Sequence, residues 1–294
     1  MSQAPATIFD LGYQPYDGAR TGRWARRAAI WRDGIRISLG LGRGTGAKIA
    51  PWLLLTLALV PMLVLVVISA VMSEAQAAAE DFELPSYADY YEFAMVPLAL
   101  FAAVVAPLLL CPDRRDGVLA LYGARPITPA DYVGARWLAF FTVAACAAWL
   151  PEAVLFTWNA LDARSPGSWL TDHCEIPPRF LVAGAMVAAL TTTLSLFAAS
   201  FTTRRAYASV GTLAVLFIGS AVGGIAENDF SGRVADAVSL VALPQALTEA
   251  VHWVFGDETR DRPFDGAVYA GWVAVLTAAL ALGLLRQTRS LVRG

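Results

Sequence analysis

Asp113, Arg114, Arg115 and Asp116 form a mixed acid–base cluster between two long apolar runs, and Arg125, Asp131 and Arg136 follow within 20 residues. No nucleophile or paired general base accompanies them, so the chemistry this pattern can do is ion pairing: a charged surface that another protein can grip. The residues read as a short helix from about Asp113 to Tyr122, stopping before Arg125-Pro126 because the residue preceding a proline avoids the helical region. A second helix then starts with Thr128 as N-cap, Pro129 at the first helical position and Asp131 three residues after the cap. A charged helix held between two apolar runs is a rigid lever, with its polar face accessible and its ends fixed.

Elsewhere, chemistry-bearing residues are sparse. Glu152 follows Pro151 inside an apolar run, where an ionisable group costs roughly 2.5 kcal/mol or more at mid-membrane and so marks a functional candidate. At ~1.5 Å per residue Glu152 lies ~24 Å beyond Arg136, near the far surface, so it reads either as part of a substrate path or as an interfacial carboxylate. His173 and His252 stand isolated, and His173-Cys174 lacks further ligands at metal-binding spacing. Gly40, Gly42, Gly44 and Gly46 lead to Lys48-Ile49 rather than to the Gly-Lys-[Ser/Thr] of a phosphate loop, and read as a flexible corner. With no Ser/His/Asp or paired-carboxylate constellation, the chain is expected to be non-catalytic, with no cofactor or metal of its own and no nucleic-acid role. Three cysteines do not make a disulfide framework.

The elements that must carry these residues are membrane spans. The chain has 294 residues, 57% hydrophobic and 16% charged, where a soluble domain carries nearer a quarter charged. Six apolar blocks meet the ~20 residues needed to cross a bilayer: about 49–71, 93–111, 132–158, 180–201, 207–225 and 267–285. Residues 1–47 are polar and Arg-rich with no early apolar core, so the first span is expected to be retained as the insertion signal. The basic residues set the orientation. With both termini cytoplasmic, 8 Lys/Arg fall before or at the start of the first span, 4 in the first inner loop, 2 in the second and 3 at the C-terminus, leaving 5 outside. Lys48 is the lone lysine and Ala and Gly abound, a composition that points to a GC-rich bacterial genome.

Between and within the spans, patterns assign further elements. Trp24, Ala28, Trp31, Ile35 and Leu39 share one face of a helix over about 21–39, with Arg27 and Arg32 flanking and Asp33 turned away. This describes an interfacial helix, or an ordinary packed one. Glu74, Glu80, Asp81, Glu83 and Asp89, with Tyr87, Tyr90 and Tyr91, read as a solvated outer loop whose tyrosines sit at the headgroup level. Thr191, Thr192, Thr193, Ser195 and Ser200 suit bonding within and between helices. Gly219 and Gly223 form a close-packing face, within the subunit or against a second one. Residues 234–243 and 244–255 read as two short amphipathic helices broken at Pro244.

The pattern Asp113, Arg114, Asp116, Gly117, Leu119, Leu121, Arg125, Pro126, Ile127, Thr128 and Arg136 resembles the first cytoplasmic loop of ABC-2 type permeases, the membrane subunits of one class of ABC exporter. Val118 stands where the family commonly has Thr, and Arg115 where an acid is common. The resemblance implies an all-α integral membrane protein of the bacterial cytoplasmic membrane. Residues 1–47 would be a cytoplasmic arm and interfacial elbow helix, and 48–294 a six-span domain with a coupling helix at about 113–123. It implies that Asp113, Arg114, Arg115, Asp116, Gly117, Leu121, Arg125 and Pro126 meet a separate ATPase subunit, expected as a pair, which holds ATP and Mg. A second permease, identical or different, would complete the pathway. The resemblance also implies a short helical hairpin on the outer side at 234–255, anchored by Trp253 and Phe255, the candidates for an outer gate. Alternatives are a gradient-driven transporter, although no repeat relates the two halves, and a non-transporting membrane scaffold.

Overall fold

The computed structural model describes residues 22–75, 86–118, 127–229, 238–257 and 263–293, and among these no strand occurs. The helices are α1 (Arg23–Ser38), α2 (Thr45–Ala75), α3 (Tyr87–Arg115), α4 (Pro129–Asp162), α5 (Pro166–Asp172), α6 (Ile176–Ala199), α7 (Arg205–Asp229), α8 (Leu243–Phe255) and α9 (Gly266–Arg293). Six of them, α2, α3, α4, α6, α7 and α9, are long and apolar enough to cross a membrane, and they are the six expected. In hydrocarbon each backbone N–H and C=O must be satisfied internally, and a helix does this within one segment. The fold is therefore an all-α membrane architecture.

The centre of the bundle is α3 and α6, whose most apolar stretches are 72% and 67% buried; those of α2, α7 and α9 are 22%, 28% and 17% buried. The outer helices turn large apolar side chains outward, among them Leu53, Leu57, Val64 and Val67 of α2 and Val210, Phe217 and Ile218 of α7. Such faces suit lipid and would be a liability in water.

Tight helix contacts come from small residues. A Cβ on Gly34 would lie 2.5 Å from the Ala139 Cβ, so α1 presses directly on α4. The buried stripe of α1 is thus Ile30, Gly34 and Ser38, one position round from the expected apolar face. Trp24 is 79% exposed, and with Ala28 and Trp31 it borders an apolar cleft of about 600 Å³ between α1 and α4. One apolar flank of the helix thus packs on protein and the next lines this cleft, and the sequence pattern alone showed only their sum. The glycine-rich segment after α1 begins as a tight cap: the Leu41 N–H reaches the Arg36 carbonyl at 2.7 Å and the Gly40 N–H the Ile37 carbonyl at 3.1 Å, a Schellman arrangement. Trp52 Nε1 then donates to the Leu39 carbonyl at 3.1 Å.

Gly219 and Gly223 of α7 face Val241, Ala242 and Gln245, so this small-residue face packs within the subunit. Of the expected hairpin, α8 and the helical residues 238–241 are present; its residues 234–237 lie outside the described part. Two of the span-four hydroxyls bond within and between helices. Thr191 and Thr193 bond back to the Val187 and Ala189 carbonyls, and Trp137 Nε1 donates to Thr193 Oγ1 at 2.9 Å.

Gly34→Val should push α1 off α4 and lower stability by about 1–3 kcal/mol. A fall in melting temperature in detergent, with faster tryptic cleavage at Arg26 and Arg27, would check this; an unchanged digest would contradict the packing.

Candidate functional site

The arginine-rich end of the bundle is built around the end of α3. Asp113, Arg114 and Arg115 are its last turn rather than the start of a separate helix. Pro112 lies within the helix and offers no N–H, but nothing in Asp113–Arg115 breaks it, and two arginines favour its C-terminal dipole. The break comes at Gly117, whose φ of 68° belongs to the left-handed region that glycine adopts without Cβ strain. Asp116 is the C-cap, its N–H bonded to the Pro112 carbonyl at 2.9 Å. Leu119, Leu121, Arg125 and Pro126 lie outside the described residues.

Arg136, buried in the first turns of α4, ties this end together. Its Nη1 donates to Asp33 of α1 at 2.8 Å and its Nη2 to Asp113 of α3 at 2.9 Å. Tyr132, one turn earlier, donates its hydroxyl to the same Asp113 oxygen at 2.6 Å. At the tip of α4, Thr128 and Asp131 form the expected capping box, and the Asp131 carboxylate also takes ion pairs from Arg23 and Arg27 of α1. Arg114 donates to the carbonyls of Ser200 and, at 3.3 Å, Thr202 beyond α6. Among the described residues of the predicted cluster, the charged side chains that remain outward-facing are Arg115 and Asp116. They pair with each other at 2.9 Å, with side chains 65% and 51% exposed. The hydrogen bond from Arg115 holds the Asp116 carboxyl below the ordinary carboxylate range. Sequence reasoning missed Asp33 and Tyr132 as partners of Arg136. An acid on the helix face turned from the apolar stripe was the available signal for Asp33; none pointed to Tyr132.

At the opposite end the structure changes several readings. Helix α3 starts at Tyr87, not Phe93, so the supposed loop tyrosines are helical, and Tyr90 and Tyr91 are fully buried. Their rings supply apolar area while the hydroxyls reach backbone carbonyls. Pro151 has no N–H to offer the Ala147 carbonyl four residues earlier, and the Tyr90 hydroxyl approaches that carbonyl at 3.4 Å. Glu152 is no solvated interfacial carboxylate: it is 0% exposed, within electrostatic range of Tyr87, Tyr90 and Tyr91. Among the described residues neither of its carboxylate oxygens has a hydrogen-bond partner.

The two gate candidates separate. Phe255 is buried and its ring lies 6.2 Å from that of Tyr87 and 6.4 Å from that of Tyr91, while Trp253 is 46% exposed. The fold thus brings Phe255 and Glu152 to one tyrosine cluster and leaves Trp253 on the outside. His252 is not isolated: its Nε2 lies 3.2 Å from Glu92 Oε1 and its Nδ1 3.1 Å from Asp257 Oδ2. Asp257 is five residues along the chain, but Glu92 is 160 positions away, which local spacing cannot show.

No protein-family model and no curated protein matches this chain.

Removing the Arg136 charge leaves Asp113 facing a partly buried site. Arg136→Gln is expected to cost about 3 kcal/mol, and adding Asp113→Asn to that variant should recover part of the loss, as thermal unfolding of both would show. Glu152→Leu replaces an unpartnered buried carboxyl by apolar volume and should stabilise the bundle by about 1–3 kcal/mol; a lower melting temperature would mean the carboxyl has a structural partner.

Proposed function

We propose that this chain is the membrane-spanning permease subunit of an ATP-driven exporter of the ABC-2 class, and that its arginine-rich end docks a separate ATPase subunit. The observation that carries this reading is the Arg136 junction. It joins the interfacial helix α1, the tip of the central helix α3 and the start of α4 into one body, with the Arg115–Asp116 pair presented outward at the tip. A partner that grips this tip moves α3, and α3 runs through the middle of the bundle. The family resemblance of Asp113–Arg136 supplies the partner: an ATPase, two copies per transporter, holding the ATP and Mg, with a second permease completing the pathway. Both termini then lie in the cytosol of a bacterial cell and α8 lies toward the outside. The division of labour among the arginines is sharper than the sequence allowed, since Arg114 serves the fold through Ser200 and Thr202 while Arg115 and Asp116 serve the partner.

A second reading, a gradient-driven transporter, is favoured by Glu152, because an unpartnered carboxyl within a span is the kind of group that proton- or ion-coupled carriers use. Affinity purification from the native host in mild detergent, with mass spectrometry of the eluate, separates the two. The ABC-2 reading expects an ATPase bearing Walker A and ABC signature motifs. Charge exchange by Arg115→Glu with Asp116→Lys should leave the melting temperature unchanged while cutting ATPase recovery at least tenfold. Undiminished recovery would overturn the docking assignment, and a chain that purifies alone even after crosslinking would shift the assignment to the gradient-driven carrier.

A further inference from the structure

We propose that Asp89, Glu92 and His252 form a binding site for a divalent transition-metal ion of the zinc class, with Asp257 holding the histidine in place. Each of these residues is delivered by a local rule. Ser86 caps α3, and its N–H bonds Asp89 Oδ2 at 2.6 Å, which leaves the second carboxylate oxygen for a ligand. Glu92 lies three residues on, on the same helix face. Helix α8 ends in a Schellman turn at Gly256, where φ is 82°, and the Asp257 N–H returns to the His252 carbonyl at 3.1 Å. That turn sets the Asp257 carboxylate against the ring nitrogen of the same His252, and the Ser86 hydroxyl steadies it at 3.0 Å.

The resulting arrangement calls for a cation. A neutral imidazole carries one N–H and one lone pair. With its proton on Nδ1, pointing at Asp257, the Nε2 lone pair faces the Glu92 carboxylate at 3.2 Å, and an ion between them turns that opposition into two bonds. The ligand atoms of Asp89, Glu92 and His252 all lie within 4.8 Å of one another. An ion at their centre is therefore at most about 2.8 Å from each, and small side-chain rotations bring this to the ~2.0–2.2 Å of zinc–nitrogen and zinc–oxygen bonds. One imidazole with two carboxylates suits zinc better than the all-oxygen preference of calcium or magnesium. A carboxylate behind the ligating histidine is the usual second layer of such sites. A cleft of about 270 Å³, walled by Glu92, Ser220, Gln245 and Thr248, leads to Glu92 and gives the ion a route in. Once bound, the ion pins α8 to the first turns of α3.

The test is zinc binding by the full-length, untagged chain in detergent, stripped with a chelator and titrated against a chromogenic competitor, with metal content read by mass spectrometry. One zinc per chain is expected, with a rise in melting temperature that magnesium and calcium do not reproduce. Glu92→Gln, which keeps the side-chain shape, and His252→Gln should each weaken binding more than tenfold. Asp257→Asn should weaken it about ten- to a hundredfold, and His173→Ala, whose ring stacks on Trp169 instead, should leave it unchanged. Absence of zinc above background, or unaltered affinity in Glu92→Gln, overturns the site. If His252→Gln does not fold, the wild-type titration and Glu92→Gln decide.

Discussion

A guanidinium taken out of water must be paired, and the burial of Arg136 imposes that condition on three helices at once. Its two carboxylate partners come from α1 and α3, and its own position is fixed by α4. Breaking such a pair leaves an uncompensated charge in a poorly solvated place, which costs far more than a surface ion pair contributes. Helix α1 is consequently held by a polar joint at Arg136 and by the close contact of Gly34 with Ala139. The joint sets direction and the contact sets distance, so the end of α3 is positioned as part of a rigid unit.

The opposite end is organised differently. There the aromatic rings of Tyr87, Tyr90, Tyr91 and Phe255 fill space, and the ionisable groups are placed around them: Glu152 within the packed interior, Glu92 and His252 toward the cleft. Helix α3 contributes to both ends. At ~1.5 Å per residue its Glu92 and Asp113 are roughly 30 Å apart along one largely buried rod. If an ATPase moves one end and a metal ion fastens the other to α8, α3 is the element through which the two would feel each other.

How much of this was legible from residues alone differs between the ends. The charged stretch near Asp113, the capping box of Thr128 and Asp131, and the basic residue Arg136 were all visible, because caps and charge clusters are local. The exact helix boundary was not. Asp113–Arg115 carries no helix breaker, so the charge change suggested a new element where the backbone simply continues to Gly117. At the other end Tyr87–Tyr91 looked like loop because acidic and aromatic residues are common there, and only packing against the Ala58, Ala147 and Phe180 carbonyls shows why the helix absorbs them.

The sequence by itself determined the architecture: six spans, helix α1 and the short helix α8 follow from hydrophobic length and period, since hydrocarbon thickness and backbone satisfaction leave the chain few choices. It also determined which end is rich in arginine. Tertiary structure alone decided who meets whom. That Asp33 and Asp113 share Arg136, that Arg114 turns inward while Arg115 faces out, that Glu152 is enclosed, and that His252 finds Glu92 and Asp257 all depend on the angular setting of helices about their axes. A span's composition places it in lipid but hardly constrains that rotation; the small residues and the few buried charges do.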